Sequence, residues 1–503
     1  MNLVDLDKIL VIGGGSAGLI SALMLKKTFV TKAVSIIKSE KLGIIGVGES
    51  TTEHMARFMK HIGISREDLI KHCGATLKAG VFFQGFGKDD FMHSISPPYA
   101  NTHNAYYYIY GQLIGYKKRK YNLYPEFFNY SEMPVEALEN ENWIYQYHLN
   151  TFKFNEYLLK LCTERGIEII DDDLQEEDII LNDNGDVEKI IGRNPVDKNL
   201  TREHKADLYI DCTGFKRLLA NKLKFKWVSY KEYLPLNSAV AFPTEETSEY
   251  NLYTLAKAMK HGWLWRIPTQ TRTGNGYVFN KDFASLDDIR KEINSTYNKE
   301  IEIQRSFEFE PGYYEEMWKN NVVVAGLASS FIEPLEATSI GSTIQQMFIL
   351  MHFLPSEDKV SNNKQYHYLM ENIFSFVSLH YKLQREDTPF WKHVKNLKTT
   401  DFLKHYLPIW KNRLPQDSDF NGSWNMFYAP NFINVLFGLD LFDLKKIVKE
   451  ARLYPFVLRA NATKIFRNQR NWEKNCLKIS HKKFIDMIYK NKPKNLEEEN
   501  VIY

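Results

Sequence analysis

Lys8 to Ile12 (KILVI) is a short apolar run followed at once by Gly13-Gly14-Gly15-Ser16-Ala17-Gly18 and then by an apolar segment through Leu25. No other stretch limits the fold as tightly. Glycines spaced GxGxxG between a strand and a helix open a parallel α/β sheet: Gly13 permits the tight turn, Gly15 lets backbone approach a pyrophosphate, and Gly18 lets helix pack on strand. Ser16 and Ala17 then lie in the first helical turn, where phosphate is favoured. Strand, glycines and helix together make a dinucleotide site a better reading than a glycine-rich turn. The next strand, Ala33 to Ile37, should end in an acidic residue for the adenosine ribose, but Lys38 stands there. Glu40, two residues on, is assigned that contact. Gly43 to Thr52 (GIIGVGESTT) interleaves glycine with apolar residues, unlike a solvated loop. It is read as wrapping a flat ligand, with Gly46, Val47, Gly48 and Glu49 against it.

At 503 residues, with 25% charged and 44% hydrophobic, the chain is long enough for a large core and has the balance of a soluble enzyme. A net charge of +3 does not argue for nucleic acid. No apolar run approaches the roughly 20 residues that cross a bilayer, so no membrane partner is expected. Four cysteines without CxxC or paired-His spacing indicate neither metal nor disulfide framework. They suit a reducing cytoplasm, and no export leader is recognised. Seven lysines between Lys474 and Lys494 are read as a solvated face.

Further along, Cys73 to Gly87 places Lys78 among small and apolar residues at the start of a strand. Such a lysine is usually a snorkelling edge residue; the rarer, functional reading is a desolvated amine. Trp143 to Gly166 reads as one helix closed by Gly166. Ala206 to Gly214 (ADLYIDCTG) reads as a buried strand of the first sheet, which makes the dinucleotide fold discontinuous. Between about 216 and 318 short strands and turns predict an inserted antiparallel sheet. There Trp263 and Trp265 (GWLWRIP) project from one face of a strand, as core or as the wall of a pocket. Asn321 to Gly326 (NVVVAG) is another buried strand. After it, FIEPLEATSIG predicts a helix from Leu335 onward, with Glu336 near the free amides of Thr338 and Ser339. A plain helix cap is the competing reading. The predicted architecture is an α/β protein: a discontinuous GxGxxG domain over 1–350 with its inserted sheet, and a mainly helical region over 351–503.

GGGSAG, GVGEST, CGATLKAG, YHLNTFKFNEYL, DCTGFKRLL, GWLWRIP, FIEPLEATSI and LHYKLQREDTPFW, in this order, resemble the flavin-dependent halogenases of the tryptophan halogenase family. The resemblance implies FAD on a scaffold like that of flavin monooxygenases, used as FADH2 from a separate flavin reductase. O2 and a halide ion then give hypohalous acid, which crosses a short tunnel to a catalytic lysine matching Lys78. The family's second catalytic group matches Glu336, and its halide contacts match Thr338 and Ser339. Trp263 and Trp265 would keep a small aromatic substrate from the flavin. Leu327 stands beside the cofactor where many flavin hydroxylases carry Asp. A homo-oligomer is compatible with all of this. Ser339 replaces a glycine of some members. Because a larger halide sheds its water more readily, bromide or iodide is expected to be used better than chloride, on arenes more varied than tryptophan. The rival readings are a flavin-dependent aromatic hydroxylase and a flavin-binding protein without halogenation.

Overall fold

The computed structural model describes residues 6–40, 43, 49–94, 131–138, 146–197, 199–453 and 455–490. Its organising layer is a six-stranded sheet in the order Trp318–Lys319, Val322–Val324, Leu208–Asp211, Lys8–Ile12, Ala33–Lys38, Glu168–Asp171. The last five run parallel, and Trp318–Lys319 pairs antiparallel at the edge. Parallel strands are covered on both faces, which is why Ile9, Leu10 and Val11 are all fully buried. The sheet is gathered from widely separated stretches, so the fold is discontinuous as the sequence predicts. Gly13 takes φ +122°, and a Cβ on Gly18 would stand 1.9 Å from the Gly13 carbonyl oxygen. The glycine spacing therefore lets the helix Ser16–Thr28 leave the strand at close range, and residues Gly18 to Leu25 of that helix are buried without a break.

A second sheet has seven strands in the order Arg305–Glu308, Ser238–Thr244, Thr273–Phe279, Gly262–Pro268, Tyr253–Ala258, Gly80–Gln84, Phe91–Ser94. Its pairings are antiparallel except that of Tyr253–Ala258 with Gly80–Gln84. The sheet expected between 216 and 318 is thus extended by two strands from the chain around Lys78. A third, small sheet joins Glu49–Ser50, Gln146–Leu149 and Thr76–Lys78.

Two expectations are corrected. The stretch 143–166 is not one helix: Gln146–Leu149 is the middle strand of the small sheet, and the helix is Thr151–Glu164. Asn150 separates them, its side chain accepting from the amides of Phe152 and Lys153 as an N-cap. Residues 143–145 lie outside the described residues, as do Lys492 and Lys494. The α-helix expected from Leu335 begins at Thr338, because Glu336 and Ala337 adopt left-handed φ of 66° and 56°. That reversal turns the Glu336 side chain away from the helix that follows.

Beyond the helix Lys359–His380, six α-helices from Pro389–Lys395 to His481–Lys490 form the C-terminal region among the described residues, with one short strand, Lys478–Ser480. Among those residues no helix is long and apolar enough to cross a membrane. The last helix returns to the small sheet. His481 Nε2 accepts from the Leu77 amide at 2.9 Å, while its Nδ1 donates to the Tyr250 carbonyl at 3.0 Å.

The second sheet is built around the Trp265 indole, which lies across Gly276 on the neighbouring strand; a Cβ there would stand 2.1 Å from the ring. Gly276→Ala is therefore expected to cost about 1–3 kcal/mol, with the altered Trp265 packing read by tryptophan fluorescence during guanidinium unfolding. An unchanged unfolding midpoint would show that the ring moves aside freely.

Candidate functional site

Two sites adjoin. The first is a cavity of about 610 Å³ at the carboxyl ends of the parallel strands, lined by Gly13, Gly15, Ser16, Ala17, Glu40, Glu49, Leu327 and Ser339 among others. A Cβ on Gly15 would meet nothing within 4 Å, so the backbone there faces open space. The helix Ser16–Thr28 begins without a side-chain cap and without an acidic residue in its first turn, which leaves its amides to an anion. Glu40 is paired to Lys38, and that ammonium lowers its carboxyl. Glu49 is more deeply placed: burial raises its carboxyl to about 7, and Oε2 has no partner among the described residues. Unobstructed backbone at Gly15, an open helix start and a roomy cavity fit a dinucleotide. Gly18 packs behind the turn rather than lining the cavity. Gly46, Val47 and Gly48 lie outside the described residues.

The second site holds Lys78 and Glu336, neither of which lines that cavity. Lys78 closes the strand Thr76–Lys78, an edge strand of the small sheet, and is fully buried rather than snorkelling to water. Its Nζ donates to the Thr51 carbonyl at 2.8 Å, which leaves two N–H donors. Burial lowers its pKa to about 8, against the opposing pull of the Glu336 and Glu53 carboxylates.

Glu336 is buried between two imidazoles. His93 Nδ1 donates to Oε2 at 2.8 Å and His380 Nε2 to Oε1 at 2.9 Å. The proton positions follow from the outer partners. Asn431 Oδ1 accepts from the Tyr428 amide at 2.8 Å, so its Nδ2 faces His93 Nε2, at 3.1 Å. An amide nitrogen only donates, so His93 Nε2 accepts and the ring's proton is on Nδ1. His380 Nδ1 instead meets the Phe376 carbonyl at 2.9 Å. His380 thus sets one ring nitrogen against each of two acceptors, the Glu336 carboxylate and the Phe376 carbonyl. Burial alone would raise the Glu336 carboxyl; His93 and His380 outweigh it and hold it well below the usual range.

Thr338 and Ser339 are the first residues of the helix Thr338–Phe353, where amides have no partner in the helix's own ladder. Ser339 opens on the cavity while Thr338 is buried behind it. Trp263 and Trp265 are buried side by side with ring centroids 6.0 Å apart. Trp263 Nε1 donates to Glu333 Oε1 at 3.2 Å, and the Tyr381 hydroxyl donates to the same oxygen. The indole pair is thereby tied to the segment that carries Glu336.

Sequence reasoning does not single out His93, His380, Glu53 or Gln146. His380 lies within LHYKLQREDTPFW, one of the segments that carry the family resemblance, whereas His93 in FMHS carries no local signal.

The tryptophan halogenase family profile matches residues 8–449. The tryptophan 6-halogenase SttH of Streptomyces toxytricini is 28% identical over 489 residues, covering 88% of this chain and 91% of its own length. The tryptophan 7-halogenase RebH of Lentzea aerocolonigenes is 26% identical over 463 residues, covering 84% and 85%. The crystal structure of a tryptophan halogenase from Shewanella frigidimarina superposes with a TM-score of 0.84 at 25% identity, over 96% of this chain and 98% of that one.

A carboxyl held low in the folded state contributes stability above its ordinary pKa and loses it as pH falls through the lowered value. His380→Leu removes one of the two donors to the buried carboxylate. It is expected to cost about 3 kcal/mol or more at pH 7, and the deficit should shrink toward pH 4, because in the variant burial raises the Glu336 carboxyl and lets it protonate there while the wild-type group stays ionised. Denaturant unfolding at several pH values measures this. A deficit independent of pH would mean that His380 serves packing alone.

Proposed function

The chain belongs to the tryptophan halogenase family, and from that premise we propose that it halogenates an electron-rich arene of indole or phenol type, with Lys78 and Glu336 directing hypohalous acid onto the ring. The protein is a flavin-dependent halogenase that takes FAD as FADH2, a halide ion and O2. A separate flavin reductase supplies the FADH2. The observation that carries the proposal is a fully buried lysine with two donors unused among the described residues and a buried carboxylate bonded by two histidines, both outside the lining of the dinucleotide cavity.

FAD would be held by Gly13, Gly15, Ser16 and Ala17 at the pyrophosphate, by Glu40 at the ribose, and by Glu49 and Leu327 farther along. Thr338 and Ser339 would offer the helix-start amides to the halide. Bound there, reduced flavin with O2 and halide supplies hypohalous acid. The two free N–H donors of Lys78 bind the oxygen of that acid and draw electron density from its halogen, so that the halogen end is attacked by the ring. A bond forms between ring carbon and halogen, the oxygen–halogen bond breaks, and its electron pair leaves with an oxygen that takes a proton from Lys78 to depart as water. The Glu336 carboxylate stabilises the positive charge then present on the ring and accepts the ring proton as aromaticity returns. A hydroxylase would need its substrate in the dinucleotide cavity, which Lys78 and Glu336 do not line.

Lys78→Ala is expected to bind FAD normally and to lose at least about 1,000-fold in halogenation, since its role falls after the electrophile leaves the flavin. Glu336→Gln should lower kcat far more than it raises KM. In the wild type the rate should decline above pH about 8, where Lys78 loses its proton. Product analysis by mass spectrometry, with catalase present, decides. Retention of most product by Lys78→Ala, or a rate that climbs through pH 8, would remove the ammonium role.

At the helix start, Ser339 adds a hydroxyl and takes space, while every halide must shed water to enter. Desolvation outweighs the crowding because the Ser339 side chain can rotate into the cavity. Equal-concentration competition should favour bromide or iodide over chloride; a preference for chloride would reverse this reading of Ser339.

A further inference from the structure

The strand pair that carries Lys78 places a second polar side chain beside it. Gln146 is the direct partner of Lys78 across the antiparallel ladder, which sets both side chains on one face with their Cβ atoms about 5 Å apart. The adjacent pair on that face, Thr76 and His148, makes the contact such partners normally make, with Thr76 Oγ1 3.2 Å from His148 Nδ1. Gln146 makes none. It is 0% exposed, and neither Oε1 nor Nε2 has a hydrogen-bond partner among the described residues. Buried polar groups in native proteins are nearly always paired, so an amide with both ends unused points to a ligand. Glu53 adds a further unfilled group: its Oε2 is buried without a partner among the described residues. Burial raises that carboxyl to about 7, with Lys78 acting to lower it and Glu336 to raise it.

We propose that Gln146 binds the polar substituent of the arene, and that this substituent is a phenolic hydroxyl. The inference rests on the halogenase reading and names its substrate class. Gln146 offers an acceptor in Oε1 and donors in Nε2, and Glu53 offers a second carboxyl beside Lys78. A phenol brings one donor and one acceptor, so it fills an amide end and a carboxyl oxygen together. An indole N–H brings only a donor and leaves the Gln146 Nε2 unused. The hydroxyl also activates the ring carbons that an electrophile attacks, so the group that anchors the ring prepares it for the halogen delivered by Lys78. A site built to bond a hydroxyl discriminates strongly against the analogue that lacks it, because the site's own polar groups are then left unpaired.

The test uses the FAD-bound protein and Gln146→Met, which keeps side-chain length and removes the amide, with p-cresol and its methyl ether as the paired arenes. Without arene, the variant should melt at the same temperature as the wild type or higher, since an unpaired buried amide has been removed. p-Cresol should raise the melting temperature of the wild type and not of the variant. The ratio of kcat/KM for p-cresol over its ether should fall about tenfold in the variant, mainly through KM. A variant that melts lower and keeps both the p-cresol shift and the ratio would make Gln146 a packing residue and overturn the proposal. If the wild type halogenates neither arene while the p-cresol shift still requires Gln146, the binding assignment stands and the halogenation reading fails.

Discussion

A carboxylate shut away from water needs other donors in place of the water it has lost, and at Glu336 two imidazoles provide them. The bonding draws four parts of the chain to one point. His93 comes from the edge strand of the second sheet, His380 from the last residue of a long helix, and Asn431 from a helix of the C-terminal region that orients His93. Glu336 itself sits on a two-residue left-handed turn, a conformation that costs about 1–2 kcal/mol for each residue bearing a Cβ. Such a turn persists only where its surroundings determine it, and the paired carboxylate does so here. Removing either imidazole would leave a charge in a dry interior.

The same turn separates two chemistries. Ser339 faces the dinucleotide cavity, and Glu336, three residues earlier, is buried between His93 and His380. The chain thus passes from one site to the other within a single turn. Trp263, Glu333 and Tyr381 bind the preceding residues to the second sheet. Glu333 is raised to about 8 by burial, although the Tyr381 and Trp263 hydrogen bonds act to lower it, so near neutrality this second carboxyl adds little charge beside Glu336. Two glutamates of one short segment are set to opposite protonation states: burial prevails at Glu333, and the hydrogen bonds of two histidines prevail at Glu336.

Much of this is legible in the chain because local geometry demands it. Gly13 and Gly18 announce a close strand–helix turn, and VVV and LYID announce strands covered on both faces. Lys78 can be seen as a candidate, but not as fully buried, because its burial depends on Gln146–Leu149 pairing beside it. That strand reads wrongly as the start of a helix: YQYHLN does alternate apolar with polar residues, but the run is short and merges with a strongly helical continuation. The left-handed pair at Glu336 and Ala337 is invisible for another reason: neither residue prefers that conformation, and only contacts with His93 and His380, far apart in sequence, select it. Ring nitrogens and amide partners assigned across such separations have no period or spacing to betray them.

His481 gives the strand of Lys78 its final hydrogen bond from a point 404 residues along the chain. A ribosome that has made the whole six-stranded sheet has therefore not yet made the residue that secures the strand of Lys78. Closing so long a loop is entropically slow and comes late in folding. The six-stranded sheet is accordingly complete in the growing chain before the small sheet has its last contact. The strand of Lys78 is thus fastened by a helix that emerges long after that sheet, and a chain clipped before His481 would lose this hydrogen bond while retaining every strand of the six-stranded sheet.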